Sequence, residues 1–456
     1  MRHVLIICNY FAPDNAIAAV RITKFAKYLM RAGYKVTVIK ERHLDILNDE
    51  ILERDADGAE VIYAENTLAF KMFHNVYKKI IQPLKSKRMN KLDNRVRINP
   101  QTGHTEFYPF ETAYPIIGSI EYVVEQLRQM DLCHSIKNTL KIMDDCDLLF
   151  TSYGDSFSLH AGKKYHKYHA NVPWVFDIRD AILRYKFTPN YVRFIPISYE
   201  NYVWKNADAI IGVSKGICKR VPKVYWKKTR CITNGYDKED LSDIQRSDIK
   251  SDKLVFSYTG SMYGGLRDLS YFFKAVAELI ENGSVEQDKI EFCFAGNDSA
   301  YEIFKSQADK YGLGEQCVTQ GKLSRKESMQ LQMDSNILLM ASYDYQSHVG
   351  GVLTGKLMEY MMMGKPVIAI VTGDICRGEV YNTINKTAIG AALEESNEVE
   401  DYPALRNYIL EQYTAWEQDG KLKYNPNQLE LNKYDYKYTS RRLIKLFDTL
   451  CKEKTI

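Results

Sequence analysis

The chain has 456 residues, 45% of them hydrophobic and 26% charged, with 25 Gly and 12 Pro. That length exceeds what one hydrophobic core organises, and the composition excludes collagenous, disordered and low-complexity classes. A net charge of +4, from 62 Lys and Arg against 58 Asp and Glu, argues against a protein that binds nucleic acid over its whole surface. The total conceals an asymmetry: residues 1–235 hold 36 basic against 24 acidic side chains, +12, whereas residues 236–456 hold 26 against 34, −8.

Short β-branched runs alternate with longer amphipathic segments, which predicts parallel sheets with crossover helices. Val4–Cys8 reads as the first strand, too short for a signal-peptide core, followed by a helix over Ala19–Arg31 that Gly33 stops and a strand over Lys35–Ile39. Asp55 and Asp57 spell D-x-D with no strand before them, so no metal site is read there. From Ala69 to Arg97 nine basic residues (Lys71, Lys78, Lys79, Lys85, Lys87, Arg88, Lys91, Arg95 and Arg97) face one acid, Asp93. Phe73, Val76, Tyr77, Ile80 and Leu84 recur among them at helical spacing, the pattern of a helix that lies on an anionic membrane.

Further strands are predicted at Leu148–Thr151, Trp174–Ile178 and Ala209–Val213. His160, His166 and His169 lie among Lys163, Lys164 and Lys167 on a helix expected to be solvated, not to bind metal. A second basic cluster, Lys215–Arg230, has seven cations and no acid. Residues 233–252 are polar and acidic and read as a surface linker, so the domain boundary is placed there. A second series follows: strand Leu254–Tyr258, helix Leu269–Glu281, strand Ile290–Ala295, helix Ala300–Tyr311, strand Ile337–Ala341, helix Gly355–Met363 and strand Pro366–Ile370. The tail, Tyr434–Cys451, has helical spacing and is expected to return to the first domain. The nine cysteines form no C-x-x-C pair, which suits reduced thiols in a cytosol, and no apolar run is long enough to span a membrane.

In H-V-G-G-V-L-T-G-K-L-M-E-Y, residues 348–360, Gly350 and Gly351 make a loop without side chains and Thr354 suits a helix N-cap. Lys356 sits in the first turn, where a cation opposes the helix dipole unless an anion neutralises it, and Glu359 stands one turn on. The run K-L-M-E-Y-M-M-M-G-K-P-V-I, together with residues 10–39, 207–217 (A-D-A-I-I-G-V-S-K-G-I), 232–237 (I-T-N-G-Y-D) and 258–262 (Y-T-G-S-M), resembles glycosyltransferase family 4, retaining enzymes of the GT-B fold. The blocks stand in family order over almost the whole chain.

The resemblance implies an α/β protein of two Rossmann-like doubly wound domains facing a cleft: an acceptor-side domain (1–235), a nucleotide-sugar donor domain (236–430) and a crossover helix (431–456). Glu359 matches the second glutamate of the family's two-glutamate motif, expected at a ribose, and Gly351 replaces the first. Ser261 stands at the family's usual Arg position after the strand ending at Tyr258, and Arg267 and Lys356 are expected to hold the diphosphate. Gly260, Gly321, Lys322, Leu323, Gly350, Gly351 and Thr354 complete the expected donor site. In the first domain Asn15, Arg21, Asp177, Arg179 and Asp180 are candidates for acceptor or sugar contacts. N-capping is the alternative for Asn15, a solvated helix face for Arg21, and a loop-ordering ion pair for the D-x-R-D segment. No metal and no resident cofactor are expected, only a nucleotide-diphosphate sugar, UDP- or GDP-linked, as substrate. The implied activity is sugar transfer with retention to a saccharide acceptor, expected to be lipid-linked, in surface polysaccharide synthesis at the cytoplasmic face of a membrane. A sugar-nucleotide epimerase and a non-catalytic nucleotide- or glycan-binding homologue are the alternatives.

Overall fold

The structure, a computed structural model, describes residues 1–89, 96–98, 105–107, 114–184, 188–245, 252–344 and 353–453. The chain forms two compact units: Met1–Arg97, Tyr108–Asn234 and Tyr436–Ile456 make one, Ile98–Phe107 and Gly235–Asp435 the other.

The first unit is built on β1 (His3–Cys8), β2 (Lys35–Glu41) and β3 (Glu60–Ala64); after a separate pair of short strands, β4 (Val96–Ile98) and β5 (Thr105–Phe107), come β6 (Leu148–Tyr153), β7 (Trp174–Ile178), β8 (Ala209–Gly212) and β9 (Thr229–Cys231). The sheet order is β3-β2-β1-β6-β7-β8-β9, parallel throughout. Helices cover both faces, so the central strands are apolar without alternation, and every residue of His3–Cys8 is buried. The helices are α1 (Ile17–Arg31), α2 (Glu50–Asp55), α3 (Leu68–Met89), α4 (Pro115–Ser135), α5 (Lys137–Ile142), α6 (Ser156–Tyr168), α7 (Phe194–Asn206) and α8 (Lys215–Lys219). α1 buries Ile22, Phe25 and Leu29 and ends where Gly33 takes φ +84°, as predicted.

The second unit contains β10 (Leu254–Thr259), β11 (Ile290–Ala295), β12 (Cys317–Thr319), β13 (Ile337–Tyr343), β14 (Val367–Thr372) and β15 (Gly390–Glu394), in the order β12-β11-β10-β13-β14-β15. Its helices are α9 (Ser270–Glu281), α10 (Asp298–Asp309), α11 (Arg325–Asp334), α12 (Gly355–Met363), α13 (Glu379–Thr387), α14 (Glu398–Asp419) and α15 (Gln428–Leu431). The last helix, α16 (Tyr436–Glu453), belongs to the first unit: Tyr436 meets Phe25 edge-on at 5.8 Å and Phe447 meets Phe150 at 5.4 Å. In each unit the strand order reverses once, between β1 and β6 and between β10 and β13. Open α/β sheets bind ligands outside the strand carboxyl ends at such points.

The predicted strands and helices are present, most with ends shifted by one or two residues. The sequence reading omitted β3, β9, β12 and β15, edge strands whose side chains are partly exposed and lack a continuous apolar run. Two expectations are corrected. Within residues 233–252, Asp237, Asp240 and Ile244 are buried, so this stretch is packed rather than a free surface linker. The histidines of the lysine-rich helix are half-buried against rings: His160 faces Tyr199, His166 faces Trp174 and His169 faces Tyr165. Burial, reinforced by Lys163 and Lys164, pushes the His160 pKa down to about 4. Among the described residues no helix is long and apolar enough to cross a membrane.

Candidate functional site

Beside the reversal point of the second sheet, the ends of β10, β11 and β12 pack main chain against main chain. Gly260, at φ +110°, donates its N–H to the Ala295 carbonyl at 2.6 Å, and Gly296 donates to the Gly321 carbonyl at 2.9 Å. A Cβ on Gly296 would stand 2.8 Å from the Gly260 oxygen, so the approach itself requires glycine. Above Gly260 lies Lys356. Its Nζ would be 3.1 Å from a Cβ on Gly260 and stands 4.0 Å from the centroid of the Tyr258 ring. α12 holds it there by burying Leu357, Met358, Tyr360 and Met361, and by the Tyr360 hydroxyl, which donates to the Leu339 carbonyl at 3.0 Å.

The Lys356 Nζ is buried and has no hydrogen-bond partner among the described residues. Burial, and then the neighbouring Arg267 charge, hold its pKa well below the usual lysine range, with Glu359 opposing. Arg267 lies over the Tyr263 ring at 4.3 Å and donates from one terminal nitrogen to the Ser261 carbonyl at 2.9 Å, while its buried Nε is unbonded. The carboxylate of the adjacent Asp268 is turned to the main chain instead, accepting from the Ser270 N–H at 2.7 Å at the start of α9. Thr354 occupies the N-cap position of α12, but its side chain makes no capping bond, and Oγ1 is buried and unpartnered, which corrects the simple capping role. Two cations, a buried hydroxyl and a helix amino terminus therefore share one region in which no acceptor among the described residues meets the Lys356 ammonium.

Glu359 is one turn further along α12. Its Oε1 is 3.7 Å from Arg325 Nε and its Oε2 accepts from Gln332 Nε2 at 3.5 Å. Arg325 also pairs with the buried Asp240 at 2.9 Å. Sequence spacing did not reveal Tyr258, Arg325, Gln332 or Asp240, because they reach the site from different elements. Ser261 is exposed, and its hydroxyl accepts from the Tyr263 N–H at 3.1 Å. Gly321 adopts φ +67° with open space where a Cβ would be; Lys322 beside it is exposed and Leu323 half-buried. Gly350 and Gly351 lie outside the described residues.

In the first unit, Arg21 and Asp177 bind each other. The guanidinium reaches the carboxylate at 2.8 and 3.1 Å, and it also donates to the Ile232 and Thr233 carbonyls at 2.8 and 2.9 Å. Ser152 donates to the same carboxylate at 2.8 Å. At 2% and 0% exposure neither residue presents a surface to a substrate, and the solvated-face alternative for Arg21 is also excluded. Arg179 donates to the Ala18 carbonyl, and its guanidinium lies against Gly154, where a Cβ would displace it. Asp180 is exposed and 3.5 Å from Arg184. Asn15 is half-buried and does not cap α1, whose N-cap is Ala16. The sequence reading also missed a polar cluster beyond β1, β2 and β6: Asn9 donates to Glu41 and Gln129, Arg128 binds Glu41 and Glu125, and burial with Glu125 nearby raises the Asp155 pKa to about 6.

Residues 241–423 match the family described as "Glycosyl transferases group 1". The whole chain is similar in structure to sucrose-phosphate synthase from Thermosynechococcus elongatus (TM-score 0.58, 13% identity, 99% of each chain covered). It is also similar to an alpha,alpha-trehalose-phosphate synthase (UDP-forming) from Burkholderia vietnamiensis (TM-score 0.59, 11% identity, 100% of this chain and 99% of that one). A third similar structure is the lipopolysaccharide outer core galactosyltransferase WaaB (TM-score 0.55, 10% identity, 98% and 99% covered). No curated protein gives a significant match. At these identities the likeness is one of fold: two parallel-sheet Rossmann-like domains in the GT-B architecture.

Proposed function

We propose that the protein is a retaining glycosyltransferase of the family 4 type that takes a sugar from a nucleotide-diphosphate donor, UDP- or GDP-linked, and passes it to a saccharide acceptor. The observation that carries this reading is Lys356 beside Arg267, with the Lys356 ammonium buried over Gly260 and lacking any hydrogen-bond acceptor among the described residues. A buried cation without a hydrogen-bond acceptor is costly, and a diphosphate supplies the charge and oxygens that would relieve it. The group 1 match over residues 241–423 supports the same assignment.

In this mechanism the bond between the anomeric carbon and the diphosphate oxygen breaks, and the acceptor oxygen bonds to the same face of that carbon. The acceptor proton passes to the departing phosphate oxygen. Lys356, Arg267 and the α12 amino terminus stabilise the charge that grows on the diphosphate. Glu359, with both oxygens at the margin of hydrogen-bonding range of protein donors, accepts from the ribose hydroxyls. Arg179, Asp180 and Asn15 remain the candidates for sugar or acceptor contact in the first unit, and Arg21 with Asp177 orders the segment that carries them. The acceptor is a lipid-linked saccharide in surface polysaccharide assembly, met by a peripheral protein at the cytoplasmic face of a membrane.

A melting screen over UDP, GDP, ADP and dTDP tests the donor reading. A nucleotide at a hundredfold excess over its Kd should stabilise the fold by about 2.7 kcal/mol, visible as a rise in Tm. If none of the four moves the transition, the donor site is misassigned.

A further inference from the structure

The first unit carries an apolar surface that its own described residues leave bare. α3 runs antiparallel to α4: Asp131 near the end of α4 accepts from the Thr67 N–H and hydroxyl at the start of α3, both at 2.8 Å, and Lys85 near the end of α3 meets Glu121 near the start of α4 at 2.9 Å. The residues of α3 turned toward α4 include His74, Tyr77 and Ile81, all half-buried. Beside that stripe Met72, Val76, Ile80 and Leu84 repeat every four residues, 71%, 59%, 60% and 48% exposed. On α4, Ile120, Val123, Leu127 and Met130 form a second exposed stripe spaced by three and four. An apolar face of this extent on a folded unit marks an interaction surface.

Charge selects the occupant. α3 has six cations (Lys71, Lys78, Lys79, Lys85, Lys87 and Arg88) and no acid over its 22 residues. The acids of α4 are already held, Glu121 by Lys85, Glu125 by Arg128 and Asp131 by Asn66 and Thr67. Lys78, Lys79 and Lys87 have no ion pair among the described residues. A second copy apposed through α3 would bring like charges together, whereas an anionic bilayer offers hydrocarbon to the stripe and phosphate to the lysines. The basic cluster at Lys215–Arg230 differs: Arg220, Lys228 and Arg230 spend their donors on the carbonyls of Leu183, Ala207 and Lys227.

We propose that the α3–α4 hairpin is an interfacial docking surface for anionic lipid, lying in the plane of the membrane with the stripes of both helices in the headgroup boundary. It deepens the peripheral-membrane part of the reading above and is independent of the donor chemistry. As a helix of 22 residues, α3 would lay a strip of about 33 Å along the surface.

Vesicle flotation of the full chain tests it, with phosphatidylcholine alone and with equal parts of phosphatidylcholine and phosphatidylglycerol. Binding should require the anionic lipid and should weaken steeply with salt. Lys78→Ala with Lys79→Ala should lower affinity by about tenfold or more, and Val76→Glu with Leu127→Glu should abolish flotation. The indole emission of a Phe73→Trp reporter should shift to the blue when anionic vesicles are added. The nucleotide-induced rise in Tm, measured on the same variants, should persist, which shows that they fold and separates failure here from failure of the donor reading. The proposal is overturned if anionic vesicles do not bind the wild type, or if binding ignores the lysines. It is also overturned if the reporter indole is unshifted by vesicles, is already shielded before they are added, or is buried in a dimer that Val76→Glu with Leu127→Glu dissolves.

Discussion

Lys356 combines two properties that a structural lysine avoids: a buried ammonium and no acceptor among the described residues. Without ligand it should cost the fold stability, so Lys356→Met is expected to raise the apo Tm while weakening nucleotide diphosphate binding more than tenfold. A mutant that loses binding and stability together would mean that the site collapsed. The lowered lysine pKa has a definite sign. The folded apo protein binds fewer protons here than the unfolded chain, so this group contributes instability at low pH that fades as pH rises above its folded value. A bound diphosphate favours the charged ammonium, so binding should take up a proton at a pH above the apo pKa and below that in the complex. Affinity should fall as pH rises through that interval. Calorimetry in buffers of different ionisation enthalpy measures the uptake, and its absence in Lys356→Met assigns it.

The elements that carry this chemistry are held from a distance. α12 is held in place by its buried methionines and Tyr360, and β10 is followed by Gly260, at φ +110° and with Lys356 pressed against it. In the first unit α1 and β7 are joined by Arg21 and Asp177, 156 residues apart in sequence. Removing one charge strands the other in a dry site, so Asp177→Asn should cost about 3 kcal/mol or more in urea unfolding. An effect confined to activity, with the unfolding midpoint unchanged, would instead make this pair a substrate contact. Much at this scale was legible: the helix over 355–363 and the strand over 290–295 follow directly from apolar runs and turn residues. The role of Arg21 was not: from sequence it stood as a sugar or acceptor contact or a solvated cation, because nothing local shows that Asp177 comes to it. Glu359 could be picked from its place on α12, but its neighbours Arg325 and Gln332 come from α11.

Across the whole molecule, the +12 of residues 1–235 and the −8 of the remainder are properties of composition, whereas docking depends on which cations remain unengaged beside bare apolar surface. Lys78→Ala with Lys79→Ala should therefore weaken vesicle binding much more than Lys223→Ala with Lys227→Ala, although both remove two charges. Equal losses would reduce the effect to net charge. By itself the sequence determined the alternation of strands and helices, the two sheets, the helix over 355–363 and the basic segment. These rest on periodicity and turn chemistry, which act over a few residues. Only the tertiary structure decided that Lys356 is buried without an acceptor among the described residues, that Arg21 is consumed by Asp177, that Thr354 does not cap its helix, and that α3 and α4 turn apolar stripes outward. Each depends on which distant side chain arrives, and burial makes the presence or absence of that partner worth about several kcal/mol.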